Sequence, residues 1–213
     1  MAVSLETADK YVTYIHKKVT APGSRAALRR SLGRPVDDAA TRRAHSVVAA
    51  WLPSERTRSA VENAYYGVAA MIAAQPRRRD EQADAEDVPP LVQDESANEP
   101  EAARKKTERP SVSLGATLGT AVRDKKLNRD TVEARLHLLC RQDVSGLHRK
   151  LPSVVRQLAT KEIDPDWGRL LRDLSRWEHD RNLVTKRWLQ DFYRRADAPE
   201  PPNADDQSES EDQ

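Results

Sequence analysis

The chain has 213 residues, of which 38% are hydrophobic and 33% are charged, and its 36 Lys and Arg nearly balance its 34 Asp and Glu. This length allows one or two modest cores, and the single Cys excludes a disulfide framework. No run approaches the ~20 consecutive apolar residues of a membrane span, and residues 1–20 lack a secretory apolar stretch, so we expect a soluble, cytoplasmic protein without membrane contact. Seven Gly and one Phe against abundant Ala, Leu and Arg disfavour β-sandwiches and barrels and favour an all-α fold.

The near-zero total charge is unevenly distributed along the chain. Residues 1–75 carry +5, residues 76–110 carry −3, residues 111–195 carry +7 and residues 196–213 carry −7. Acidic, Pro-bearing segments without aromatic residues cannot offset the entropy of ordering. We therefore predict two small helical bundles, 1–75 and 111–195, joined by a long acidic disordered linker, 76–110, and followed by an acidic disordered tail, 196–213. The acidic segments either shield the basic bundles or only aid solubility.

Four helices are predicted in the N-terminal bundle. They cover about Thr7–Val19, Ser24–Leu32, Asp37–Trp51 and a segment that begins at Ser54. Gly33 and Pro53 end the second and third. The fourth carries an apolar stripe at helical spacing: Val61, Tyr65, Val68 and Ile72.

Five helices are predicted in the C-terminal bundle. Leu114, Leu118 and Val122 line the first, and Asp130 with Glu133 forms a capping-box pattern for the second, which turns Val132, Leu136 and Leu139 inward. The third has a long stripe and a predicted kink at Pro152: Leu147, Leu151, Val154, Val155 and Leu158. Asp164 and Pro165 begin the fourth, with inward Trp167, Leu170, Leu171, Leu174 and Trp177. The last runs from about Arg181 to Arg195 with Val184, Trp188 and Phe192 inward.

The polar faces of these helices carry rows of cations. Arg25 and Arg29 are four residues apart, Arg30 and Arg34 follow closely, and residues 23–34 contain no acidic residue. Arg149 and Arg156 lie one heptad apart, opposite the Leu147 stripe. Three more align on the outer face of the Trp167 helix: Arg169, Arg172 and Arg176. Of the 36 basic residues 26 are Arg, whose planar fork suits phosphate, although GC-rich codon usage and ordinary solvated faces produce the same pattern.

Motifs for catalysis, metals and cofactors are missing from the sequence. The five His never pair with one another or with Cys140 at ligand spacing, and no P-loop or Rossmann fingerprint occurs. Asp164 and Asp166 are interpreted as helix-capping residues rather than as a nuclease pair. The Trp residues have core spacing rather than the arrangement of a base-stacking platform, and Cys140 is interpreted as a small core residue. We therefore expect no enzyme activity, no cofactor and no metal.

Several short strings resemble the CasB family, the small subunit of the type I-E CRISPR Cascade complex. They are Arg25-Ala-Ala-Leu-Arg-Arg30, residues 111–119 (Ser-Val-Ser-Leu-Gly-Ala-Thr-Leu-Gly), residues 133–143 (Glu-Ala-Arg-Leu-His-Leu-Leu-Cys-Arg-Gln-Asp), Leu147-His-Arg-Lys-Leu151, Asp166-Trp167 and Trp188-Leu-Gln-Asp-Phe-Tyr193. Their order and spacing extend the resemblance from Thr7 to Arg195. The linker is longer and more acidic than the family pattern.

The resemblance implies a helical, two-domain, non-catalytic protein that binds nucleic acid. Two copies pack head to tail in a crRNA-guided complex, beside other Cascade subunits, and contact the backbones of the target strand and the displaced non-target strand. Residues that match family strings are Arg29, Arg30, Arg135, Arg141 and Arg149. Helical phase adds Arg25 and Arg156, and alignment across gaps adds Arg58 and Arg181. Because Arg135 and Arg141 cannot share a helix face, one of them is also a candidate for a structural ion pair or a subunit contact.

Two alternatives of other classes stay open. One is a pure scaffold whose Arg rows bind acidic faces of neighbouring proteins without touching nucleic acid. The other is a nuclease or a helicase accessory enzyme.

Overall fold

Helices make up most of the described chain, and strands are absent from residues 3–52, 59–76 and 111–199, which are the residues that the computed structural model describes. The N-terminal half contains α1 Leu5–Lys18, α2 Pro22–Arg30, α3 His45–Val48 and α4 Ser59–Ala74. The C-terminal half contains α5 Leu114–Arg123, α6 Arg129–Cys140, α7 Val144–Ala159, α8 Trp167–Ser175 and α9 Trp177–Ala196. The all-α prediction is confirmed.

Helix α4 lies at the centre, because its sequence is apolar on almost every side. Eleven of its 16 residues are buried, including the predicted stripe of Val61, Tyr65, Val68 and Ile72. It is covered by α1, α2, α7 and α8, as a helix without a polar face requires. The hydroxyl of Tyr11 on α1 donates to the Tyr65 carbonyl at 2.8 Å. The predicted start of this helix at Ser54 lies outside the described residues.

The two halves share one hydrophobic core. Helix α8, from the C-terminal half, packs against α1 and α4 of the N-terminal half, and a single cluster of buried residues runs from Val3 to Phe192. All three Trp residues of the C-terminal half are at most 6% exposed, which confirms their prediction as core residues. The acidic linker, apart from Pro76, falls outside the described residues, so the division into two bundles stays a prediction.

Helix α5 comes into unusually close contact with α9. The small residues of α5 make this possible, because a Cβ at Gly115 would overlap the carbonyl of Trp188. On α9 the Trp188 indole lies 5.2 Å from that of Trp177, measured between ring centroids. Any side chain at Gly115 would therefore push α5 away from the core.

Two predicted helix starts are wrong by two residues. Helix α6 is capped by Asn128, whose side chain accepts the backbone N–H of Thr131 at 3.0 Å, and not by Asp130. Helix α8 is capped by Asp166, which accepts the N–H of Arg169 at 2.8 Å, and not by Asp164. Both caps have extended backbone angles, as an N-cap needs, and this conformation is not encoded in residue type alone.

The third predicted helix is also wrong as a single element. Residues 37–51 form two 3-10 helices, Ala39–Ala44 and Ala49–Trp51, on either side of α3. The hydroxyl of Thr41 donates to the Pro35 carbonyl at 3.0 Å and Asp38 accepts the Ala40 N–H at 2.8 Å, which tightens the first turn. The predicted start of the last helix at Arg181 coincides with a kink, since Asp180 has non-helical angles within α9.

Candidate nucleic-acid interface

The end of α2 lies directly beside α7. Gly33 adopts a φ of 71°, which favours glycine and turns the chain after α2. A Cβ at Gly33 would lie 3.8 Å from the His148 carbonyl oxygen and 3.9 Å from the Arg149 Cα. Arg29 and Arg30, in the last turn of α2, precede this contact with α7 by four and three residues.

This junction carries a group of cations that we call the basic face. Its members are exposed and, among the residues that the structure describes, have no ion pair: Arg29, Arg30, Arg149, Lys150 and Arg156. On α7 the opposite side holds Leu147, Leu151 and Leu158, all buried in the core. Like charges at such spacing repel one another unless an anion lies between them. The basic face is therefore suited to a polyanion.

The side chain of Arg25 on α2 stabilises the C-terminal end of α4. Its Nε donates to the Ala73 carbonyl at 3.1 Å and its Nη2 donates to the Gln75 carbonyl. These are the last carbonyls of α4, which have no intrahelical partner. Helical phase correctly puts Arg25 on the side of Arg29, but its guanidinium already caps α4.

The remaining predicted residues fall into two places. Arg135 on α6 donates to the side chain of Gln157, which puts it at the edge of α7 beside Arg156. Arg141 ends α6, and Arg181 on α9 donates to the Gln142 carbonyl at 3.4 Å. Arg141 and Arg181 thus form a second, smaller group at the turn between α6 and α7, and Arg58 lies outside the described residues.

Five cations of α8, α9 and the turn between them line a separate cleft of about 450 Å³, and most of them contact carboxylates: Arg169, Arg176, Lys186, Arg187 and Arg194. Arg169 contacts Asp173 at 3.0 Å, Arg176 contacts Asp180 at 2.8 Å, and Arg194 contacts Asp191 at 3.4 Å. Asp173 is 1% exposed and also accepts the Trp188 indole N–H at 2.8 Å. The prediction that Arg169 lies on the outer face of α8 is wrong. Its side chain is only 12% exposed, because it turns towards the buried carboxylate of Asp173.

Sequence reasoning missed three exposed cations. Lys150 belongs to the basic face and follows Arg149 directly in the Leu-His-Arg-Lys-Leu string. Arg42 and Arg43 lie on the 3-10 helix that packs against α2, and they too are unpaired within the described part of the chain. The sequence signal that could have identified Arg42 and Arg43 is their position side by side, with no acidic residue closely following them.

Burial changes the proton affinity of two side chains near the interface. The ring of His148 lies against Gly67, and burial lowers its pKa to about 4. Burial raises the pKa of the Cys140 thiol to about 11, so that this partly buried thiol is protonated at neutral pH. In the described ranges no three His, Cys, Asp or Glu side chains are grouped to hold a metal, and no helix there has the length and apolarity to cross a bilayer.

Fold and site together define a small all-α protein with a basic face, whose cations have no ion pair among the described residues, and a separate ion-paired cleft. The family model described as CRISPR-associated protein Cse2 matches residues 24–193, and the chain belongs to this family. The resemblance to CasB is thereby confirmed.

Solved structures agree with this assignment. A chain of a structure described as "CRISPR RNA-guided surveillance complex" is 38% identical, with a TM-score of 0.70 and coverage of 90% of this chain and 94% of that chain. A chain of the same kind of complex in a pre-nicking state is 40% identical, with the same TM-score and coverage. CasB from M. ruber shares the fold at 21% identity, with a TM-score of 0.62 and coverage of 88% of this chain and 93% of that one. No curated protein matches the chain.

Proposed function

We propose that this protein is a non-catalytic, nucleic-acid-binding small subunit of a type I-E CRISPR Cascade complex. It stabilises the R-loop by contacts from Arg side chains to the backbones of the target strand and the displaced non-target strand. In this role it works in the cytoplasm in antiviral defence, without a metal or a cofactor. Its partners are other Cascade subunits, the crRNA-bound target DNA and a second copy of itself.

One observation carries the proposal: the cations of the basic face have no carboxylate partner within the described residues, although acidic residues are abundant in the chain. Gly33, which follows Arg29 and Arg30 by four and three residues, lies against the backbone of His148 and Arg149 on α7. A row of separate cations binds a repeating phosphate chain without reading base edges. The absence of a base-reading motif therefore agrees with binding to either strand.

Modest contacts suffice for such a role. Exchange of a DNA duplex for an RNA–DNA duplex is nearly balanced in free energy. A few phosphate contacts can thus decide whether the R-loop persists. The similar chains come from structures described as surveillance complexes, which supports assembly with other subunits.

Salt dependence of DNA binding tests the proposal. We expect the logarithm of the association constant of the full chain for single-stranded DNA to fall linearly with the logarithm of the salt concentration, with a slope of about −0.7 per phosphate neutralised. Arg149→Ala lowers this slope by about 0.7, whereas Arg149→Lys keeps most of it. Arg194→Ala is the matched control, because Arg194 is also exposed to solvent but contacts Asp191. Equal slopes for Arg149→Ala and the unaltered protein would contradict a phosphate contact at Arg149.

A scaffold role is the second candidate, because three large apolar side chains are exposed in the described part of the chain. Val112 is 37% exposed, Leu138 on α6 is 46% exposed and Leu183 on α9 is 59% exposed, so that each is available for contacts to other proteins. A salt-independent affinity for DNA would favour this candidate over the first. Incubation of labelled DNA with Mg²⁺ or Mn²⁺ should leave it intact, and cleavage that Asp164→Asn or Asp166→Asn abolishes would instead establish a nuclease.

A further inference from the structure

A shallow depression opens where α2, α4 and α7 meet. Its volume is about 260 Å³. Apolar side chains form most of its walls: Leu32, Met71, Pro152 and Val155. Three polar side chains stand at its border, Gln75, Thr160 and Arg156. Small ligands bind in concave, mostly apolar sites with a few polar groups, and this volume lies below the roughly 300–1,000 Å³ of sites for drug-sized molecules.

The depression adjoins the basic face. Arg156 belongs to both, and Leu32 lies between the last turn of α2 and Gly33, which contacts Arg149. Arg25 lies at the neighbouring carbonyls of Ala73 and Gln75. A phosphate chain bound along α7 would therefore carry its bases past the opening.

We propose that this depression receives one unstacked nucleobase of a single strand whose phosphates lie on the basic face. The base contacts Leu32, Met71 and Val155 by its flat faces, and the guanidinium plane of Arg156 stacks on it at the opening. The Thr160 hydroxyl donates to the Gln157 carbonyl at 2.7 Å and keeps its lone pairs to accept from the base edge. The Gln75 amide donates one hydrogen to the Met71 carbonyl at 3.3 Å and keeps its second hydrogen and its oxygen for the base. Every base has an apolar face, so the site is tolerant of sequence.

This inference rests on the proposed function, because the strand must first bind through its phosphates. Phosphate binding on the basic face and base binding in the depression predict different dependences on the ligand. Phosphate binding depends on salt and not on bases, whereas the depression adds affinity only when a base is present. Oligonucleotides that share a backbone but differ in bases separate the two.

The experiment compares a single-stranded DNA oligonucleotide with an abasic oligonucleotide of equal length, bound to the full-length protein at several salt concentrations. We expect the intact strand to bind about fivefold or more tightly than the abasic strand, with the same salt slope. Ala159 and Ala74 also line the depression. Ala159→Leu and Ala74→Leu each fill it with a good helix former, and both should reduce the ratio of the two affinities towards one. Arg149→Ala is the control, which lowers the salt slope for both strands and keeps their ratio.

Each outcome decides one of the two ideas. Equal affinity of the unaltered protein for intact and abasic strands overturns the base site while the salt slope still supports phosphate binding. A ratio that neither Ala159→Leu nor Ala74→Leu reduces, with circular dichroism showing that both variants are folded, also overturns it. Absence of a salt-dependent affinity for either strand overturns the proposed function itself.

Discussion

The basic face and the α8–α9 cleft contain similar numbers of cations, yet they differ in what surrounds each cation. In the cleft, Arg169 and Arg176 each have an Asp four residues later, and Arg194 has one three residues earlier. On α7, the positions three and four residues from Arg149 and Arg156 hold only Ser, Gly, Pro, Ala and Thr. Because neighbours at this spacing share a helix face, local carboxylates neutralise the first set and leave the second set available for an external anion. Arg content alone does not distinguish the two regions.

The largest effect on stability is expected from removal of the buried carboxylate of Asp173 in the α8–α9 cleft. Asp173→Ala removes the acceptor for the Trp188 indole N–H and leaves Arg169, 12% exposed, without its carboxylate. Loss of one partner of a buried ion pair costs about 3–5 kcal/mol, so urea denaturation should show a strongly lowered midpoint. Asp180→Ala is the control, because the Arg176–Asp180 pair is more exposed and removal of such a pair costs about 0–1 kcal/mol. Similar losses for both variants would show that the cleft is not organised around Asp173.

The second-largest effect is expected from acidification, which should lower the free energy of unfolding through His148 on α7. The ring of His148 lies against Gly67 on α4, and burial lowers its pKa from 6.5 to about 4. The folded state therefore binds fewer protons than the unfolded state between these values, and stability falls as the pH decreases from about 6.5 towards 4. At pH 5 the loss is roughly 1–2 kcal/mol relative to pH 7.5. Urea denaturation of His148→Gln should show a smaller pH effect, and an equal effect would assign the pH dependence to other groups.

An acidic residue introduced on α7 tests whether local carboxylates explain the difference between the basic face and the α8–α9 cleft. Ser153→Glu puts an acidic residue four positions after Arg149, on the exposed side of α7. It should pair with Arg149 and lower the affinity for single-stranded DNA several-fold, while surface substitutions of this kind change stability by about 0.5 kcal/mol or less. The uncharged Ser153→Gln is the matched control. Equal binding by the two variants would mean that Arg149 makes no phosphate contact.

The smallest effect is expected from the acidic C-terminal segment. Residues 200–213 carry six acidic and no basic residues. Their deletion should leave thermal denaturation unchanged and raise the affinity for DNA slightly, because long-range repulsion is removed, with the gain disappearing at high salt. An unchanged affinity at low salt would indicate that the segment serves only solubility.

Helices and core positions were largely predictable, because they follow from local periodicity. The stripes on α4, α7 and α9 were assigned correctly from spacing alone, and their residues are buried. Helix starts were less predictable. Asn128 replaces the expected Asp130 as the cap of α6, and of the two expected caps of α8 Asp166 occupies the N-cap position, since an N-cap is selected by backbone angles as well as by residue type.

The least predictable property was whether an individual Arg side chain has a partner within the protein. Arg25 and Arg169 resemble Arg29 and Arg172 in the sequence, yet one caps α4 and the other neutralises a buried Asp. The carbonyls of Ala73 and Gln75, which Arg25 contacts, come from elsewhere in the chain. Asp173 lies only four residues after Arg169, but its burial and its contact with Trp188 come from packing between distant segments. The availability of an Arg for an external ligand thus depends both on neighbours along its helix and on contacts that are remote in sequence.

By itself the sequence determined the helical class, the composition of the core and the excess of cations over carboxylates in the two basic segments, because hydrophobic spacing and charge are properties of neighbouring residues. Only the tertiary structure decided that α2 meets α7 at Gly33, that α4 is covered on all sides, and which Arg side chains have carboxylate or carbonyl partners. These features arise when distant segments pack together, and desolvation and pairing of a charge depend on everything within a few ångströms of it, whatever its position in the chain.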